Sequence, residues 1–147
     1  MLKGIDPLLS PDLLATLRAM GHGDSIAIVD ANFPAESTAR RLLRLDGHDA
    51  VRVLDAVLSV LPLDDFEADA ASRMQVVGEP HAEMPIFAEF RRVIARHELT
   101  SAALGSLERF AFYEAARAAF AIVATGETRL YGNILLRKGV LRPVAVE

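Results

Sequence analysis

Apolar residues recur at helical spacing behind Ser10, where Leu13, Leu17 and Met20 share one face. Ser10, Pro11 and Asp12 mark the start of that helix. They supply a capping hydroxyl, a proline at the first helical position and an acid at the positive end of the dipole. Gly21 is suited to close it as a left-handed residue. The short β-branched run "SIAIVD" (25–30) follows and predicts a buried strand. Helical patterning is then expected over 36–45, and over 49–61, where Val51, Leu54, Leu58 and Leu61 line up. "RMQVVG" (73–78) predicts a strand, and 84–98 a helix through Ile86, Phe90, Val93 and His97. "RFAFYEAARAAF" (109–120) is a further helix, with "AIVATG" (121–126) and "GNILLRKGV" (132–140) as strands.

This alternation predicts an α/β fold. The expected architecture is a single three-layer α/β/α domain over 1–147, with a buried, mostly parallel or mixed sheet. Length agrees, because 147 residues bury roughly 70% of their unfolded surface and need no covalent staples. No repeat, low-complexity tract or linker interrupts the chain.

Cysteine is absent, which removes disulfides, thiolate nucleophiles and cysteine-based zinc sites. No histidine pair has metal-ligand spacing, and "GHGDS" has neither the spacing nor the lysine of a phosphate loop. A formal net charge of −4 argues against nucleic acid. Arg40, Arg41 and Arg44 read as a solvated helix face. Asp6, Pro7 and Pro11 interrupt any apolar signal core, and the apolar run 118–124 is far too short to cross a bilayer. A cytoplasmic protein with no membrane association is therefore expected.

Three stretches carry candidate chemistry. In "MGHGDSIAIVDANFP", His22 stands between Gly21 and Gly23, and Asp30 ends the predicted strand. Ligands of open α/β sheets collect at the carboxyl ends of strands. The glycines either build a turn or leave room for a ligand beside the imidazole. In "ETRLYGNILL", Tyr131 and Asn133 bracket Gly132. They form either a turn into the strand or an uncharged hydrogen-bonding wall suited to sugar hydroxyls. Arg109 opens a helix, where its charge opposes the macrodipole, so a carboxylate or a ligand must favour it there. The aromatics that follow, Phe110, Phe112 and Tyr113, read as core, and His97 as a satisfied core histidine.

These stretches, with "MLKGIDPLLSPDLL", "RFAFYEAARAAFAIVATGE" and "YGNILLRKGV", resemble the fucose mutarotase and ribose pyranase family. Roughly half the chain carries the likeness, and residues 45–105 match only loosely. The resemblance is nearer the fucose mutarotase branch, because the pyranase branch is expected to hold a histidine where this chain has Arg109. It implies His22 as the catalytic acid, and Asp30 and Tyr131 are the two candidates for the second proton-transfer group. Asp30, Arg109, Tyr131, Gly132 and Asn133 are implied to hold the sugar, with Gly132 admitting a close approach of backbone. It further implies a ring-like homo-oligomer, decamers among the expected sizes, with sites near subunit interfaces. Asn32 departs from the histidine expected in a fucose-type relative.

Interconverting sugar anomers through the open chain needs two proton-transfer groups and no metal, nucleotide or redox cofactor. On this reading Asp30 either orients His22 or takes a hydroxyl proton, and Tyr131 relays one. The alternatives are ribose pyranase activity and a non-catalytic sugar-binding protein.

Overall fold

The computed structural model describes residues 1–98 and 103–145. Helix α1 (Pro11–Ala19) starts as the sequence predicts, with the Leu13 N–H donating to Ser10 Oγ at 3.2 Å. It does not end on a left-handed Gly21. Met20 is extended, and the left-handed residue is Gly23 at φ +87°. The helix end is instead satisfied from a distance: Lys138 Nζ donates to the Leu17 and Met20 carbonyls at 2.8 and 2.6 Å. A cation there also complements the negative end of the helix.

Strand β1 (Ser25–Val29) forms the middle of the sheet. After it come α2 (Ala35–Thr38), β2 (Leu42–Leu45), α3 (Ala50–Leu58) and β3 (Ala71–Met74). The chain continues through α4 (Pro85–His97), β4 (Leu104–Leu107), α5 (Arg109–Ala118), β5 (Ala121–Thr125) and β6 (Ile134–Arg137). Six strands lie in the order β2-β5-β1-β6-β3-β4. The sheet is mixed: β6 runs antiparallel to both neighbours, β1 and β3, and the remaining pairs are parallel.

Alternation along β1 divides the two layers. Ile26 and Ile28 pack with Leu13 of α1, Leu54 of α3 and Phe87 and Phe90 of α4. Ala27 and Val29 face the other way, onto Ala35 of α2 and Phe112 and Ala116 of α5. Side chains on both faces of β1 are fully buried, which is why the run carries no polar residue between Ser25 and Asp30. The expected three-layer α/β/α architecture is present.

Three boundaries depart from the sequence reading. The helix expected over 36–45 is one helical turn followed by β2. Its leucines pair with β5 (Leu42 with Ile122, Leu45 with Thr125), and a short apolar run takes whichever form its neighbour offers. The arginines consequently do not share a helix face: Arg41 lies over the Phe120 ring and Arg44 pairs with Asp46 at 3.0 Å. The strand expected over 73–78 is shifted to Ala71–Met74, and β4 has no counterpart in the pattern because Gly105 and Ser106 interrupt it.

Gly126, at the end of β5, is a position of steric necessity, since a Cβ there would run into the Asp46 carbonyl oxygen. Gly126→Ala is expected to destabilise the fold by about 1–3 kcal/mol, read as a lowered midpoint in chemical unfolding.

Candidate functional site

The carboxyl end of β1 delivers Asp30 beside the start of antiparallel β6, and the two strands lock there through a reciprocal pair. The Asp30 N–H donates to Asn133 Oδ1 at 2.8 Å, and Asn133 Nδ2 donates back to Asp30 Oδ2 at 3.0 Å. Asp30 Oδ1 accepts the Asn32 N–H at 3.0 Å. The aspartate is 6% exposed and Asn133 4%. Burial pushes the Asp30 carboxyl above its ordinary range, opposed by the N–H groups of Asn32, Phe33 and Gly132 and by Asn133. Each carboxylate oxygen still keeps lone-pair capacity for a further donor.

Tyr131 sits two residues earlier, in the left-handed region at φ +63°. Holding a tyrosine there costs of order 1 kcal/mol, so its surroundings must fix it. Its hydroxyl oxygen accepts the Val77 N–H at 3.2 Å, which leaves the phenolic proton free to donate. The loop beneath is tied down by buried Glu127. Glu127 Oε1 accepts the Arg129 N–H and Nε at 3.0 and 2.9 Å, Oε2 accepts the Ala50 N–H at the start of α3, and Arg129 also pairs with Glu89. Burial pushes the Glu127 carboxyl up, and Arg129 and these N–H groups together hold it below the usual range. Gly132 has a packing reason that the sequence reading did not foresee: a Cβ would strike Glu127 Cγ at 2.7 Å.

Arg109, at the start of α5, donates from Nε to the Tyr113 hydroxyl at 3.3 Å. Of the two partners expected for it, a carboxylate or a ligand, its side-chain hydrogen bond within the chain goes to neither but to a phenol one helical turn on. Asp30, Asn32, Arg109, Tyr113, Tyr131 and Asn133 converge on one cavity of about 200 Å³. That is below the roughly 300–1,000 Å³ of drug-sized sites and suits a single small ring. Tyr113, read as core from the sequence, is a wall of this cavity; its spacing of four from Arg109 on a helix was the available signal. A wider depression of about 520 Å³ also counts Asp30 in its lining, together with Glu36, Arg44 and Asp46, and its one cation, Arg44, is already paired with Asp46.

His22 is elsewhere. It occupies the turn before β1, at the amino end of the strand that delivers Asp30 at its carboxyl end. Six residue steps of extended chain lead from Asp24 to Asp30, about 20 Å. Within one copy, therefore, Asp30 does not orient His22, as one sequence reading allowed. That contact belongs to Asp64, whose Oδ1 lies 3.1 Å from His22 Nε2 and whose Oδ2 accepts Arg137 Nε at 3.0 Å. The imidazole packs against Phe66 at 5.0 Å between centroids and is 44% exposed. Nothing local in the sequence marked Asp64 or Arg137. His97 is satisfied as expected, with Nε2 2.7 Å from Asp55.

Fold and cavity together define a small α/β/α domain with one compact polar pocket at the carboxyl end of its central strand. The chain belongs to the RbsD / FucU transport protein family, whose model matches residues 3–141. The human fucose mutarotase is 47% identical over 146 residues, covering 95% of this chain and 94% of that one. An L-fucose mutarotase of Glaesserella parasuis serovar 5 is 39% identical, covering 95% and 96%. The solved fucose mutarotase of Streptococcus pneumoniae in complex with L-fucose is 44% identical, with a TM-score of 0.88 over 96% of this chain and all of that one. No helix among the described residues is long and apolar enough to cross a membrane.

Asp30 is held above its ordinary pKa, so its contribution to stability is present below the unfolded value, near 3.8, and lost as pH rises through the folded one. Asp30→Asn does not ionise and keeps an acceptor for only one of the two donors, Asn32 N–H and Asn133 Nδ2, so it loses one hydrogen bond at every pH. It should remove this pH-dependent part of the stability, so that its melting temperature compares with the native protein's more favourably at pH 7 than at pH 4, which calorimetry across that range would read.

Proposed function

We propose that this protein is a mutarotase that interconverts the α and β anomers of L-fucose or a similar reducing sugar. The observation that carries the reading is convergence. Asp30, Arg109, Tyr131 and Asn133 come from three separate stretches of sequence and meet in one ring-sized cavity, in a chain whose relatives are named fucose mutarotases.

Anomer exchange breaks the bond between the anomeric carbon and the ring oxygen. The ring oxygen gains a proton, the anomeric hydroxyl loses one, and rotation about the freed aldehyde lets the ring close on the opposite face. Asp30 suits the proton-accepting side, because burial strengthens its basicity while Asn133 and the Asn32 N–H fix its position. Tyr131 suits a donor, since Val77 occupies its oxygen and not its proton. Arg109 contributes charge-assisted hydrogen bonds to a sugar oxygen, and Asn133 a further contact.

In this reading His22 is the acid toward the ring oxygen, supplied by a second copy. The imidazole and the cavity lie at opposite ends of β1, which supports a site shared between copies. The second copy brings its own His22 to the first one's pocket. Exposed apolar side chains suit both faces to this contact: Phe66 and Leu141 beyond His22, and Val77, Phe110 and Leu130 around the pocket. Joining opposite ends of one molecule is a head-to-tail contact, which closes into a ring when the rotation permits. A ring-like homo-oligomer with shared sites is therefore part of the proposal, a decamer being the expected size. The chemistry calls for no cofactor, and the cysteine-free chain is in keeping with a cytoplasmic location.

Saturation-difference NMR on L-fucose reads the exchange directly. His22→Ala should lower it at least about 100-fold while leaving the far-ultraviolet dichroism intact. Native exchange in that variant would remove His22 from the mechanism, and sugar binding without exchange by the native protein would favour a carrier instead.

Shared sites make a second, sharper expectation. His22→Ala and Asp30→Asn chains, each inactive alone, should regain about one quarter of native exchange when co-assembled at equal amounts. Each recovered site would take His22 from one chain and its pocket from the other. Mixed assemblies as inactive as their parents would place both groups within one copy.

A further inference from the structure

Arg73 is the one buried cation among the described residues, at 5% exposed, and anomer exchange gives it no direct role. It stands near the end of β3 and faces α4, with its guanidinium carbon 4.0 Å from the centre of the Phe87 ring. Its polar contacts are poor for so buried a charge. Nη1 donates to the Met74 carbonyl at 3.3 Å, and Nη2 lies 3.8 Å from Glu83 Oε1, beyond hydrogen-bond distance. That carboxylate already accepts two bonds from Arg91, at 2.7 and 2.9 Å. Burial pulls the Arg73 guanidinium below its ordinary value, opposed by Glu83 and reinforced by Arg91. A methionine would keep the contact with Phe87 without a desolvated charge, so core packing alone does not account for an arginine here.

What the charge reaches is the loop 75–84, between β3 and α4. Gln75 pins the first end of that loop to β4: its N–H donates to the Leu107 carbonyl at 2.8 Å and its Nε2 to Ser106 Oγ at 3.1 Å. Glu83 pins the last end, with Arg91 of α4 on one side and Arg73 of β3 on the other. In between, a turn with Gly78 at φ +77° leaves Val77 exposed, and the Val77 N–H donates to the Tyr131 hydroxyl oxygen at 3.2 Å. A hydroxyl that accepts on one side donates on another, so this bond sets where the phenolic proton points.

We infer that Arg73 is a positioning residue for Tyr131: through Glu83 it holds the loop whose Val77 N–H aims the phenol into the cavity. This rests on the reading of Tyr131 as a proton donor. Arg73 is not part of the cavity wall, so it acts through the loop and not on the sugar. A loop released at its Glu83 end carries the Val77 N–H away from the phenolic oxygen. The hydroxyl then turns freely, and fewer bound sugars meet a proton in line with the breaking bond. Turnover therefore falls more than binding. The arrangement costs stability, since a charge is buried with few partners, and the return is a fixed donor.

Arg73→Met should melt no lower than the native protein, yet lose about tenfold in kcat for L-fucose anomer exchange, with KM within about threefold. Hydrogen exchange of the full-length protein, read by mass spectrometry, should quicken at least about fivefold over 75–84 in that variant. Should Arg73→Met not fold, Glu83→Gln changes an exposed side chain and should show the same split with a smaller loss. Native kcat, or native protection over 75–84, in the variant that folds would overturn the inference. A fall in kcat matched by a lowered melting temperature would overturn it too, by making Arg73 a structural residue only. Tyr131→Phe decides separately whether the phenol is the donor, since native kcat in that variant would remove Tyr131 from the mechanism whatever Arg73 does.

Discussion

Everything in this structure depends on the antiparallel insertion of β6 between two strands that run the other way. Four residues of strand reach both ends of the central layer. At its start β6 offers Asn133 to Asp30, and at its end it offers Arg137 to Asp64 and so to His22. Had β6 been parallel to β1, the loop carrying Tyr131 would have arrived at the wrong end of the sheet. Lys138 extends the same arrangement one residue further, where it closes α1 and sets the turn that presents His22.

From this follows a division of labour along one strand. The carboxyl end of β1 holds a buried carboxylate in a fixed amide clasp, beside a phenol and a guanidinium. The amino end holds a half-exposed imidazole on a buried acid. On the proposed mechanism neither half is chemically complete, and the second copy supplies what the length of β1 separates. Apolar side chains stand exposed at both ends.

Much of the architecture was legible because several signals agreed at the same positions. Ser10 with Pro11 and Asp12 marked α1, and the stripe through Ile86, Phe90 and Val93 marked α4. Edge strands β2 and β4 were not, since their burial is partial and their form is set by partners far along the chain. The pocket residues were legible as residue types in place, yet their grouping was not. His22 and Asp30 are eight positions apart and look like one cluster, but an extended chain holds them apart. Asp64 met His22 across 42 positions, a contact that no local spacing encodes.

The central claim is that one copy's pocket takes its acid from another. A crystal structure of the protein with L-fucose tests it most directly. The account predicts the sugar between Asp30, Arg109 and Tyr131, with the imidazole of a neighbouring copy's His22 within about 3.2 Å of the ring oxygen. A sugar held in that cavity with no imidazole from any copy in reach would contradict it.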